Sequence, residues 1–206
     1  MPELDGARPP RTADLRRLQE AAAQCQGCEL YRDATQTVFG SGPATADLFV
    51  VGEQPGDRED RAGEPFVGPA GQLLDRALRE AGFDRAHLYL TNAVKHFKFV
   101  RAERGKRRLH QKPGRAEVRA CRPWLEAELR AVQPRLILAL GATAAQALLG
   151  PAFKLTAHRG EPIASDELVP AVIATVHPSA VLRAPDRDVA YRAFLADLTA
   201  ARSALD

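Results

Sequence analysis

The chain has 206 residues, 45% of them hydrophobic and 27% charged, a balance that suits one sizeable globular domain. Its net charge of +3 is too small to imply a polyanionic partner, so the distribution of charge must carry any such argument. The 3 cysteines cannot make a paired disulfide framework, and no run approaches the roughly 18 apolar residues of a membrane span; with no apolar signal segment, a reducing cytoplasmic setting is expected.

Residues 1–11 are polar and Pro-rich and read as a loose tail ahead of a single domain over 12–206. The first helix is expected over 12–24, with Thr12 as its cap and Leu15, Leu18 and Ala22 on one face. An apolar strand follows at 47–52 (DLFVVG), then a helix over 71–81 that places Leu73, Leu74, Ala77 and Leu78 together and stops at Gly82. A second strand is expected at 88–94. Helices then occupy 117–132, 142–149 and 188–205, interleaved with strands at 135–141 and 172–177.

The four strand-like runs lack polar alternation, as parallel strands covered on both faces do. The expected fold is therefore α/β: a three-layer α/β/α sandwich around a four-stranded parallel sheet. Ligands of such sheets sit beyond the carboxyl ends of the strands, and three motif-like segments fall there.

Gly52-Glu53-Gln54-Pro55-Gly56-Asp57 leaves the first strand, and Pro65-Phe66-Val67-Gly68 makes a second rigid turn. Either could be a simple turn with solvated polar residues, and Phe66 either core or a stacking ring. Asn92, at the end of the second strand, offers an amide with both donor and acceptor, matching a pyrimidine's polar edge; it could equally cap a turn. His177-Pro178-Ser179-Ala180-Val181-Leu182-Arg183 leaves the last strand. There His177 could stabilise charge on a leaving group, Leu182 could wedge into a base stack and Arg183 could hold phosphate; equally, the histidine could simply cap a turn.

Cys25-x-x-Cys28 and Cys121 supply three thiols of a metal or iron–sulfur site. His96 is the best candidate for a fourth ligand, ahead of His158 and His87. The alternative is buried or redox-active thiols.

Residues 95–115 carry Lys95, Lys98, Arg101, Arg104, Lys106, Arg107, Arg108, Lys112 and Arg115 against one acid, Glu103, with Phe97 and Phe99 interleaved and His110 near the centre. The stretch has no apolar period and is expected to be a functional loop. Its charge density beside the strand ends points to nucleic acid, with cations neutralising phosphates and rings available to stack on bases.

In combination, the segments at 52–57, 65–71, 91–97, 106–110 and 177–183 resemble the uracil-DNA glycosylase superfamily, and within it the UdgX branch, a close relation of the iron–sulfur family 4 enzymes. The resemblance runs from about Cys25 to the C-terminus. The basic insertion with its central histidine is the branch-specific feature; family 4 lacks it and carries Ala at the position of Gln54. The resemblance implies a [4Fe–4S] cluster on Cys25, Cys28, His96 and Cys121, with His96 standing where family 4 has Cys. It also implies uracil-containing DNA as substrate, single-stranded by preference, and a monomeric protein. Glu53, His110 and His177 are then the expected catalytic residues, with His110 forming a covalent bond to the deoxyribose. Gln54, Gly56, Asp57, Phe66, Asn92, Lys106, Arg107, Arg108, Ser179, Leu182 and Arg183 are the expected contacts to uracil or DNA.

Overall fold

The structure is a computed structural model that describes residues 6–102, 107–164 and 171–206. Four parallel strands form the centre: β1 (Leu48–Gly52), β2 (Leu88–Asn92), β5 (Leu136–Leu140) and β7 (Ala171–Thr175). A short antiparallel strand, β6 (Pro162–Ala164), joins at one edge, giving the order β2-β1-β5-β7-β6. Two further short strands, β3 (Phe99–Arg101) and β4 (Arg108–His110), pair only with each other.

The sheet is apolar on both faces because each side is covered. Leu48, Val50, Leu88, Leu90, Leu138 and Ile173 pack with α3 (Pro69–Glu80), α6 (Pro178–Leu182) and α7 (Arg187–Ser203). Their neighbours Phe49, Val51, Tyr89, Ile137, Ala139 and Val172 point the other way, onto α4 (Arg115–Val132) and α5 (Ala142–Leu149). This alternation of two buried sets along each strand is what a sheet sandwiched by helices requires. A third cluster joins α1 (Leu15–Ala22) to α4 through Leu18, Ala22, Ala120 and Trp124.

The chain steps from β1 outward to β2, then crosses to β5 on the opposite side of β1. The strand order therefore reverses between β1 and β5, and a crevice opens at their carboxyl ends. The register carries Val51 opposite Ala139, so the segments leaving these strands face each other across that crevice.

Three expectations change. Asp14, not Thr12, caps α1, its carboxylate accepting from the N–H groups of Arg16 and Arg17. The described end of the expected tail is anchored: Ala7 is buried and donates its N–H to the Ala120 carbonyl at 2.7 Å. The expected basic loop instead contains the β3–β4 hairpin, extended at its base by Gln111 N–H to the Lys98 carbonyl. Among the described residues no helix is long and apolar enough to cross a membrane.

Candidate active site at the sheet's carboxyl edge

Glu53 leaves β1, and its backbone carbonyl accepts from Val94 N–H at 3.0 Å, which fixes the start of the turn to the β2 side. Its carboxylate divides its oxygens. Oε1 lies 3.5 Å from Nε2 of His110; Oε2 accepts a short hydrogen bond from the Thr143 hydroxyl at the start of α5. His110 reaches this point from β4 and is half exposed. Burial lowers its pKa below the ordinary imidazole value; the Glu53 carboxylate opposes that shift and the Arg183 cation adds to it. The ring is thus biased towards its neutral, nucleophilic form.

Gln54 holds the hairpin. Its amide Nε2 donates to the carbonyls of Lys98 and Gln111, at 3.1 and 3.0 Å, and its Oε1 accepts from Lys98 N–H at 3.1 Å. Both amide protons are spent on the two arms of the hairpin, so this side chain sets where the hairpin sits.

Arg108 is the second anchor. Its guanidinium makes 2.5 Å ion pairs with both Asp57 and Asp60 and lies beside the stacked rings of Phe97 and Phe99, 5.4 and 5.0 Å from their centroids. Burial works against ionised Asp57, but Arg108 and Arg61 outweigh it and hold its pKa below the usual carboxylate range. The Arg108 side chain is only 8% exposed. It faces inward to two carboxylates rather than outward to phosphate, because Asp57 and Asp60, on the short helix Asp57–Ala62 that follows β1, both bind it. Phe97 is buried and stacked on Phe99, so these rings build the hairpin instead of offering free stacking faces. Lys95 is fully buried against Glu128, and Lys98 is paired with Glu117. Arg101, Arg107, Lys112 and Arg115 remain exposed around the hairpin, and Lys106 lies outside the described residues.

Gly52, the last residue of β1, is crowded by two side chains. A Cβ at Gly52 would strike the Asn92 side-chain oxygen at 2.3 Å and the Phe66 ring at 2.7 Å, so glycine lets both approach the strand end. Asn92 is buried, and its amide has no hydrogen-bond partner among the described residues. Its amide atoms are not among the fully buried, unpartnered polar atoms of the described residues, so the group keeps some access to solvent at the strand end and can donate and accept. Phe66 adopts φ +58°, unusual for a bulky residue, and its ring lies near His177, centroids 6.4 Å apart.

Glu59, which the sequence did not flag, ties this turn together by accepting from the N–H groups of Gly56 and Gly68 at 3.1 and 2.7 Å. That N–H pairing is the structural task of Gly56 among the described residues.

His177 caps α6. Ser179 N–H donates to its Nδ1 at 3.2 Å, so in the neutral ring the proton sits on Nε2. Burial, with His110 and Arg183 nearby, lowers its pKa to about 4. The ring is therefore a neutral N–H donor at physiological pH. Leu182 and Arg183 close the same helix, and Arg183 acts electrostatically on both histidines.

The three thiols fall in one apolar region, Cys28 and Cys121 in its core and Cys25 packed against it. Two of the sulfurs receive an N–H: from the Trp124 indole at 3.1 Å to Cys25 and from the Lys95 backbone at 3.2 Å to Cys121. Burial raises the Cys28 pKa and pushes that of Cys121 up to about 12. Bound cationic metal reverses that cost, and N–H donors to sulfur suit thiolate ligands. His96 is buried, and burial lowers its pKa to about 4. The Thr37 hydroxyl donates to the Ala22 carbonyl at 2.9 Å and so must accept from His96 Nε2, 2.9 Å away. The neutral ring then keeps an Nδ1 lone pair. These donors are chemically suited to a cluster, although no three of the described His, Cys, Asp or Glu side chains are drawn together closely enough to hold a metal ion. His87 and His158 are exposed and paired with Asp84 and Glu161.

The switch point of the sheet thus gathers a carboxylate, two histidines and an amide from separate segments. The chain belongs to the uracil-DNA glycosylase superfamily: the family model described as "Uracil DNA glycosylase superfamily" matches residues 39–199. Similar proteins include the Type-4 uracil-DNA glycosylase of Pyrobaculum aerophilum, 36% identical over 84% of this chain and 86% of the relative. That of Thermotoga maritima is 37% identical over 90% and 92%, and that of Sulfurisphaera tokodaii 32% identical over 84% and 77%.

Proposed function

We propose that this protein recognises uracil in DNA, single-stranded by preference, cleaves the N-glycosidic bond and captures the sugar as a covalent His110–C1′ adduct, as the UdgX branch does. The observation that carries this reading is the 3.5 Å approach of His110 Nε2 to Glu53 Oε1, delivered by a hairpin clasped through Gln54 and Arg108.

Uracil must leave the stack before its sugar bond can be reached, and a single strand lowers that cost. Asn92 offers its amide to the polar edge of the base; Phe66, which the sequence read as core or stacking ring, is buried in the core cluster and packs against the strand end beside that amide. As the C1′–N1 bond breaks, its electron pair goes to the base, and His177 Nε2–H stabilises the resulting anion. The sugar becomes oxocarbenium-like. A lone pair of neutral His110 then bonds to C1′, and the proton on the other ring nitrogen is released, with Glu53 orienting the ring and stabilising its positive charge. Exposed Arg101, Arg107, Lys112 and Arg115, with Arg183, supply phosphate contacts. Lys106 belongs to the same expectation from sequence.

Cys25, Cys28, Cys121 and His96 through Nδ1 would hold a [4Fe–4S] cluster. Bound there, it would tie the segment after α1 to α4 and to the end of β2, a structural clamp.

The test is a uracil-containing single strand mixed with the protein and run on a denaturing gel. A band that survives heat and detergent is expected. Free uracil with an unshifted strand bearing abasic sites would instead establish a turnover glycosylase, the second reading, which the names of the type-4 relatives favour.

A further inference from the structure

The first turn of α5 holds a polar side chain that neither packing nor helix propensity explains. Positions 142, 144, 145 and 147 of this helix are all alanine, and Ala144, Ala145 and Ala147 are buried. Thr143 stands among them, buried at 7% exposure. A β-branched residue forms helix less readily than alanine, and a buried hydroxyl is costly unless it is bonded. Its hydroxyl makes one bond among the described residues, a short one to Glu53 Oε2.

That bond spans the crevice between β1 and β5. The α5 side is firmly held: Gly141 donates its N–H to the Thr175 carbonyl at 2.8 Å, and its φ of +90° turns the chain into the helix directly against His177. Glu53 is fixed at its backbone, but its side chain has freely rotating torsions. With Oε2 engaged by Thr143, the remaining oxygen, Oε1, is the one that faces His110.

We infer that Thr143 is a positioning residue for the glycosidic reaction, aligning the Glu53 carboxylate so that a single oxygen meets His110. The inference rests on the roles proposed above for Glu53 and His110. Thr143 touches neither base nor sugar in this scheme and keeps its proton throughout. Its contribution is to remove the carboxylate rotations that would carry Oε1 away from the imidazole. Losing one hydrogen bond to a charged group corresponds to about 10–100-fold in rate when the bond serves the transition state.

The experiment compares Thr143→Val, Thr143→Ser and Glu53→Gln in the full-length protein, alone and combined. Single-turnover adduct formation is followed on a uracil-containing single strand over a range of protein concentrations. Thr143→Val keeps the shape and loses the hydroxyl; it should slow the limiting rate about 10–100-fold with half-saturation unchanged. Thr143→Ser keeps the hydroxyl and should restore most of the rate. On the Glu53→Gln background, Thr143→Val should add little, because both act through one carboxylate. A Val variant as fast as the parent, a Ser variant as slow as Val, or independent additive losses would each overturn the inference while a slow Glu53→Gln leaves the parent reading intact. A Glu53→Gln protein at the parent rate overturns the role of Glu53 itself, and Thr143's with it.

Discussion

His110 Nε2 stands 3.5 Å from Glu53 Oε1, joining a hairpin outside the sheet to the end of β1, one of its inner strands. Neutralising the carboxylate should expose what that proximity does. Glu53→Gln keeps the size of the side chain but cannot stabilise a positive imidazole. Adduct formation should fall by about 10²–10⁴-fold, the usual range for a positioned acid–base group, as read from a denaturing-gel time course. An unchanged rate would remove Glu53 from the chemistry.

Replacing His110 by Ser or Gly removes the nucleophile and leaves space for water beside Glu53. Asn92, Phe66 and His177 lie on other elements and should still assist departure of the base. The expected result is multiple turnover with free uracil accumulating beyond one equivalent, measured by release of labelled base. No uracil release from either variant would argue that His110 lies outside the reacting site.

The four parallel strands were legible because a strand buried on both faces must be continuously apolar, and 47–52 and 135–141 are. β6 escaped because Pro162-Ile163-Ala164 is short and mostly exposed. The hairpin escaped for a different reason. Its inward face, with Phe99, Arg108 and His110, rests on Phe97 and on the carboxylates of Asp57 and Asp60 rather than on the apolar core, so no apolar period marks it. The strand-end motifs were legible as a group because the fold gathers strand ends. Their division of labour was not: Arg108 read as a DNA contact, and only coordinates reveal the two acids that hold it. Glu128 did carry a signal, since it lies on the buried stripe of Cys121, Trp124, Leu125, Leu129 and Val132, where an acid needs a partner. Thr143 carried one only as a single hydroxyl in a turn of alanines.

His110 and His177 both have pKa values below the ordinary imidazole value, His177 at about 4. A lowered pKa keeps the ring neutral until the pH falls below that shifted value. The adduct rate should therefore stay level as pH drops from 8 to about 6.5, the value for free imidazole, and decline only below it. Arg183→Ala removes a cation that disfavours both imidazolium forms, so the break in the profile should move up. For His177 the stability linkage has the same direction: between about 4 and 6.5 the unfolded chain binds the proton and the folded one does not, so stability rises with pH across that window. A rate profile that breaks above 6.5 in the parent would contradict the neutral, desolvated His110.

The clasp by Gln54 can be separated from base recognition. Gln54→Ala frees the Lys98 and Gln111 backbone groups that it holds. Amide exchange should accelerate through 98–111, and the adduct rate should fall by about 10-fold or more, as expected when a reacting group loses its alignment. Discrimination between uracil and other bases should be unchanged, because Asn92 and Phe66 are untouched. Altered base preference with normal hairpin exchange would place Gln54 in the pocket instead.

Lys95 and Glu128 form a fully buried pair at 2.5 Å, joined by Thr91, Tyr89 and the Gly40 N–H. Deleting one partner strands the other's charge in the interior. Glu128→Ala should cost about 3–5 kcal/mol, read as a lower urea midpoint with a similar slope. The same ammonium lies beside Cys121 and lowers its pKa against the effect of burial, so the loss combines a core defect with a change near the thiols. Lys95→Met combined with Glu128→Leu removes both charges and keeps apolar volume. If the single-variant penalty comes from an uncompensated charge, the double variant should recover most of it. If the double is as unstable as Glu128→Ala, the penalty lies in the hydrogen bonds to Thr91, Tyr89 and Gly40 that only the carboxylate supplies.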